Sequence, residues 1–223
     1  MRSHVQARPL PCPQLVTQAV LAYRTLFRSD RDRYVYLSLV RKAAQRFSWR
    51  LFGYSLLTER THLVLSAPGP AELHGGVRWL RQGYHGYVRE DRGDRGRLWH
   101  RDFGVHALED PLLWPALACI ELEPRRRGLE ERAGASPWSS AAVHAASCRP
   151  YVPLDDESWQ AEFDAARWRS YLERAAGEYE FWRVLRWAAG SEFSPPRRSL
   201  KAYAAAAGRS GPAAVQPDLG FGN

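Results

Sequence analysis

The sequence predicts an α+β fold of the ferredoxin-like kind, a sandwich in which helices cover one face of a central antiparallel sheet, followed by a helical C-terminal extension. Three observations predict it. Asp30 to Phe47 and Ala71 to Arg89 carry apolar residues at helical spacing. Trp49 to Leu57 and Thr61 to Ala67 are short apolar segments separated by a tight turn, as in a hairpin. The resulting order, strand, helix, strand, strand, helix, strand, is that of a split βαβ unit. The opening strand of that order is placed further below.

Asp30 opens an acidic, capping-competent lead-in, and Tyr34, Leu37, Val40, Ala44 and Phe47 follow at helical intervals, which sets the first helix through Phe47. In the second strand of the hairpin Arg60, His62, Val64 and Ser66 alternate with Thr61, Leu63 and Leu65, so Arg60 and His62 share a face. The helix from Ala71 to Arg89 sets Val77, Leu80, Tyr84, Tyr87 and Val88 inward, although Gly75, Gly76, Gly83 and Gly86 each weaken it by up to about 1 kcal/mol relative to alanine. A Gly-rich charged turn at Asp91 to Gly96 leads to a strand from Leu98 to about Leu108, in which His100 and His106 share a face, and then to a helix from Asp110 that carries Cys119. Pro111 suits the first turn of that helix, whereas Pro115, one turn in, removes a donor and predicts a kink or a late start. Glu157 to Ala175 and Glu178 to Ala189 read as two amphipathic helices anchored by Trp159, Phe163, Trp168, Tyr171, Phe181, Trp182 and Leu185. The expected organisation is a main domain over 1–150, a helical extension over 151–189 and a flexible basic tail over 190–223.

With 223 residues, of which 45% are hydrophobic, the chain can bury a real core. A formal net charge of +8 and a pI near 9.7 predict affinity for polyanions through release of counterions from phosphate; a merely arginine-rich, solvated surface is the plain alternative. Met1 to Pro13 lacks the apolar run of a signal peptide, and no window holds the roughly 18 apolar residues of a spanning helix, so a cytoplasmic protein with no membrane partner is expected. The three cysteines, Cys12, Cys119 and Cys148, have no paired spacing that suggests disulfides or a zinc ribbon.

The stretch Phe52 to Pro68, FGYSLLTERTHLVLSAP, sets Arg60 and His62 one residue apart on the second strand of the hairpin. Other motifs run in register with it: QLVTQ at Gln14 to Gln18, FRSDRDRYVYL at Phe27 to Leu37, YHGYVREDRGDRGRLWHRDF at Tyr84 to Phe103, CIELEPRRRG at Cys119 to Gly128 and PWSS at Pro137 to Ser140. Together they resemble the REP-associated tyrosine transposases, bacterial members of the HUH superfamily of single-strand endonucleases. The resemblance places the first strand at Gln14 to Gln18. It implies the HUH type of sandwich, and a site in which two histidines, one residue apart, hold a divalent metal against the scissile phosphate while a tyrosine attacks it. Here the second histidine is His62 and the first is replaced by Arg60, while Cys119 stands in the nucleophile's place.

The resemblance therefore implies a transposase-like protein that binds single-stranded or hairpin DNA and has lost strand cleavage. A rebuilt, active site or a decaying copy are the alternatives. No cofactor is expected, or Mg²⁺ or Mn²⁺ if cleavage survives. Arg60 either contacts phosphate directly or forms a surface ion pair with Glu59, and His62 is either a phosphate contact or a partly exposed strand residue. A substitute metal site from His62, His100 and Cys119, with Gln18 or Glu121 adding oxygen, is a further alternative. Cys119 reads as a small buried residue and a poor phosphoryl nucleophile, and Tyr84 and Tyr87 as core residues with their hydroxyls at the edge. For DNA contact the sequence offers Arg89, Arg92, Arg95, Arg97 and Arg101 beside Trp99, then Arg125, Arg126 and Arg127, a mixture suited to phosphates and stacked bases; the acids among them also fit a solvated loop. The resemblance implies hairpin recognition by the first of these groups and makes a homodimer plausible.

Overall fold

Ser29 and Asp32 start the first helix, α1 (Asp30–Arg46), with a capping box: the Ser29 hydroxyl accepts from the Asp32 N–H and the Asp32 carboxylate accepts from the Ser29 N–H. The same carboxylate accepts from the Tyr87 hydroxyl at 2.8 Å and from Arg92 at 2.7 Å, which ties the start of α1 to the end of α2 (Pro70–Arg92). Burial raises the Asp32 pKa, but the Arg28 N–H, the Tyr87 hydroxyl and the Arg92 guanidinium outweigh it and hold the carboxyl below its ordinary range. α2 runs to Arg92, past the expected end, because Gly93, at φ 62°, supplies the left-handed stop.

The computed structural model describes residues 12–108, 112–132, 134–145 and 148–177. Its strands are β1 (Gln14–Ala19), β2 (Arg50–Leu56), β3 (Arg60–Ser66) and β4 (Gly104–Ala107), in the order β2-β3-β1-β4 with every pair antiparallel. The fold is thus the expected α+β ferredoxin-like sandwich. α1 and α2 pack on one face, where Tyr36, Leu37, Val40, Val77, Leu80 and Tyr84 meet Val16, Leu63 and Leu65.

The opposite face is covered too, which the single-sided expectation missed. Here α3 (Leu113–Arg126) lays Ala116, Leu117, Cys119 and Ile120 in one apolar cluster with Leu15, Phe52 and Val64. Trp159 of α5 (Asp156–Glu162) and Trp168 and Leu172 of α6 (Ala165–Gly177) join the same cluster. β2 and β3 are buried on both sides, so they lack the apolar–polar alternation that marks a one-sided sheet.

α3 comes close to β2 at Gly53, next to an irregularity in the β2–β3 register. A Cβ at Gly53 would collide with the side chains of Leu117 and Ser140. Ser140 precedes the short helix α4 (Ala141–His144) and fastens it to the outer edge of β2, its N–H donating to the Tyr54 carbonyl at 2.9 Å.

Three expectations need correction. The strand from Leu98 shrinks to β4 because residues 101–103 leave the ladder; upstream, only the Trp99–Val20 bridge and the bonds of Leu98 and His100 to Leu21 and Ala19 keep that stretch beside β1. His100 therefore lies outside the strand that holds His106. α3 starts at Leu113 rather than Asp110, the late start that Pro115 predicts, so that proline falls in the first turn, where no backbone donor is lost; the interior proline is Pro124. The helix expected over Glu157 to Ala175 breaks at Phe163, which is extended, and Asp164 restarts it by accepting from the Arg167 N–H at 2.8 Å. The helix expected over Glu178 to Ala189 and the tail expected over 190–223 lie outside the described residues.

Gly53→Ala is expected to lower stability by about 1–3 kcal/mol in chemical denaturation, since the added methyl overpacks the α3–β2 contact. Gly86→Ala, inside α2 with open space at its Cβ, is expected to raise it by about 0.5–1 kcal/mol. Equal effects at both positions would show that α3 does not press on β2.

Candidate functional site

Three strands place a row of polar side chains beneath α3. Ser55 of β2, His62 of β3 and Thr17 of β1 are register partners, and all three are buried. The Thr17 hydroxyl lies 3.0 Å from Nδ1 of His62. His62 is wholly enclosed, not the partly exposed strand histidine that was one expectation. Its neighbours in sequence order serve the other face: Gln18 and Thr61, also register partners, both bond the Tyr36 hydroxyl, at 2.8 and 2.9 Å.

α3 contributes Cys119 and, one turn on, Glu123. Cys119 is fully buried among apolar side chains, and burial pushes its thiol well above the ordinary range. A protonated, enclosed thiol is not a nucleophile. Burial lowers the His62 pKa to about 4; the Glu123 carboxylate opposes this, while Arg60 and Arg127 reinforce it. His62 is accordingly neutral near pH 7.

Charged side chains close the end of the row. Arg60 lies 3.6 Å from Glu59, as the ion-pair alternative expected. Arg127 pairs with that same Glu59 and donates its Nε to Glu123 at 2.8 Å; Arg126 reaches the second Glu123 oxygen at 3.2 Å. Burial raises the Glu123 pKa, but its electrostatic contact with His62, with Arg127 and Arg126, more than offsets that, leaving it below the ordinary range. This chain of pairs clamps the β2–β3 turn to the end of α3.

The residues present do not fit a divalent metal. Nδ1 of His62 faces Thr17, and both oxygens of Glu123 are held by guanidinium groups. Three permanent cations border the place where a metal would add its own charge. Among the described residues no group of three or more His, Cys, Asp or Glu side chains is placed to hold a metal, so His62, His100 and Cys119 do not assemble a substitute site. Gln18 is turned to the other face, toward Tyr36.

Glu121, considered only as a spare oxygen ligand, has a different task. Its carboxylate accepts from the Ser140 hydroxyl at 2.5 Å, meets Nδ1 of His144 at 2.6 Å and accepts from the Trp168 indole at 2.8 Å, all buried. Glu123 carries no motif of its own in the sequence, although it stands four residues after Cys119 and so shares its helix face.

The arginines divide into two sets. Arg89, Arg95, Arg97 and Arg101 are exposed along the end of α2 and the following loop. Arg92 departs from the expected DNA contact: it is buried against Asp32 and donates to the Leu26 and Thr25 carbonyls. Trp99 is buried as well, its indole donating to the Arg81 carbonyl, which removes it as an open stacking surface. Arg125 pairs with Glu173 of α6 at 3.0 Å. The Tyr84 hydroxyl donates to the Leu26 carbonyl and that of Tyr87 to Asp32, as expected of core tyrosines.

No family model matches the chain, and no curated protein matches it in sequence. Its fold is similar to that of a REP-associated tyrosine transposase solved bound to a REP hairpin, with a TM-score of 0.51 and 14% identity over 70% of this chain and 93% of that one. A Deinococcus radiodurans structure assigned provisionally to the transposases matches 49% of this chain and 88% of its own, with 16% identity and a TM-score of 0.39. No described helix is long and apolar enough to cross a membrane.

Two measurements check this geometry. In the native protein a thiol reagent should modify the exposed Cys12 and Cys148 and spare Cys119, which reacts only after denaturation. The second concerns pH. Folded His62 resists protonation down to about pH 4, whereas the unfolded chain takes up that proton near 6.5, so the unfolded state binds more protons in between. The contribution is complete above pH 6.5 and is lost as pH falls through the window toward 4, by up to about 3 kcal/mol. His62→Gln should flatten that part of the stability profile; an unchanged slope would mean that His62 titrates normally when folded.

Proposed function

We propose that this chain is a transposase-type DNA-binding protein of the REP-associated tyrosine transposase family, which engages hairpin or single-stranded DNA without cleaving it. One observation carries the reading: where the resemblance puts a metal and a tyrosine, the chain has a buried thiol and an internal chain of ion pairs, while other arginines stay exposed outside. The fold likeness to a transposase bound to a REP hairpin supports the choice of DNA ligand.

Strand cleavage by an enzyme nucleophile needs a reactive oxygen at the phosphate and a Lewis acid on its non-bridging oxygens. Cys119 offers neither an oxygen nor an ionised sulfur, and the arginines around Glu123 repel a divalent cation. Binding needs less. Arg89, Arg95, Arg97 and Arg101 can each replace a condensed counterion on phosphate, and Arg60, with its side chain 20% exposed, can meet a strand that approaches the β2–β3 turn. In this reading residues 1–150 bear the DNA contacts and the helices beyond them brace α3. Arg92 and Trp99 hold the fold under the binding face rather than touching DNA.

The test incubates the purified chain with a labelled hairpin oligonucleotide, with and without Mg²⁺ or Mn²⁺, and reads binding and cleavage on the same samples. Binding that weakens steeply with salt, and no cleaved strand, is the expected result. Replacing Arg89, Arg95 and Arg101 with alanine should reduce the slope of log affinity against log salt by about 0.9 for each lost phosphate contact on a duplex stem. A metal-dependent cleavage product would defeat the claim of inactivity, and absence of binding would defeat the claim of DNA recognition.

A further inference from the structure

A surface on the outer side of β2 carries chemistry that the proposed site leaves unused. Tyr34 of α1 is 47% exposed and Tyr151, in the segment before α5, is 45% exposed. The Tyr34 ring stands edge-on to Trp138, with centroids 5.0 Å apart, and 5.2 Å from the Tyr151 ring. On Trp138 lies the guanidinium of Arg33, 5.3 Å from the ring centre, which also pairs with Asp30 at 3.2 Å. These rings border a cleft of about 360 Å³ whose lining includes Arg149 and Pro150 and, among the described residues, no carboxylate.

The cleft is held in place by backbone. The Leu56 N–H donates to the Trp138 carbonyl at 2.9 Å, and Ser139 bridges to Ser55, so Trp138 is fastened to the end of β2, three residues before Glu59 and the turn that bears Arg60. Two half-exposed tyrosines gathered round an anchored tryptophan do little for the core, where they bury only part of their rings. They do bring three aromatic rings to the border of one opening, with cations beside them and no acid among the described residues of its wall. That is the chemistry that holds an unpaired base: stacking from the rings, with attraction of the adjoining phosphate by arginine.

We propose that this cleft is a stacking site for an unpaired nucleobase, in a single strand that leaves the hairpin and passes the β2–β3 turn. The proposal rests on the DNA-binding reading above and adds to it a place for the single-stranded part of the ligand. The exposed arginines beyond α2 hold the paired stem, and the aromatic cleft holds the unpaired flank.

The experiment compares a blunt hairpin with the same hairpin carrying a single-stranded extension that contains 2-aminopurine. Tyr34→Ala and Tyr151→Ala, both at exposed rings, are expected to weaken the extended hairpin about tenfold each and to leave the blunt hairpin unchanged. Tyr34→Phe, which keeps the ring, should restore parent affinity. Stacking should quench the 2-aminopurine in the parent complex and release it in the alanine variants. Equal affinity of parent and alanine variants for the extended hairpin would overturn the stacking site while the DNA-binding reading stands. Failure of the parent to bind either hairpin would overturn both. A polyproline peptide that occupies the cleft while the extended hairpin does not would assign it to a peptide and overturn the proposal.

Discussion

The buried carboxylate of Glu121 fixes the second layer of this molecule. A charged group without partners in such a place would cost several kcal/mol, and leaving one donor unmatched would cost much of that again. Here the partners come from three separate places: Ser140 at the edge of β2, His144 in α4 and Trp168 in α6. Each can be satisfied only if α3 sits at one height and one rotation over the sheet. That placement presses Leu117 onto Gly53, and it sets Cys119 and Glu123 on the face that looks down on β3. The packing of α3, and hence the environment of every residue in the candidate site, follows from one acidic side chain being fully bonded.

The charges around that site are uneven in a useful way. Glu59 and Glu123 are shared among Arg60, Arg126 and Arg127, two acids against three permanent cations. The surplus is positive and lies at the mouth of the polar row, where it repels a metal ion and attracts a phosphate. The same pairs join the β2–β3 turn to the last turn of α3, so the electrostatic character of the mouth and the mechanical closure of the layer have a common origin. With His62 neutral beneath them, the arginines are not answered by a second buried cation.

Much of this fold could be read along the chain, because the signals were local. The acidic lead-in before Tyr34 marks the α1 cap, the short turn between Leu57 and Thr61 marks the hairpin, and the helical spacing of Val77, Leu80 and Tyr84 marks the inner face of α2. The site was legible as a set of positions but not as an environment. His62 is enclosed by a helix whose residues lie some sixty places further on, and nothing near it in sequence announces that cover. Arg92 resembles its neighbours Arg89 and Arg95 until its partner Asp32, 60 residues earlier, is brought alongside. The break at Phe163 was hidden for the opposite reason: aromatic residues on both sides keep the helical period, although Asp164 is a capping residue in plain view. Likewise the double-sided burial of β2 and β3 removed the alternation by which a sheet face is normally recognised.

The paired rungs between β1 and β3 have a further consequence, for the fidelity of strand alignment. Thr17 and Gln18 face His62 and Thr61, and each rung sends its polar contact to a different side of the sheet. A slip of one residue would turn His62 toward the aromatic layer of Tyr36 and Tyr84, point Thr61 the other way, and leave the Tyr36 hydroxyl facing no threonine. Apolar residues alone discriminate poorly here, since Leu63, Val64 and Leu65 suit either face. The alignment of the central strands is therefore specified by hydroxyl and imidazole groups, so mispaired chains carry unsatisfied buried donors.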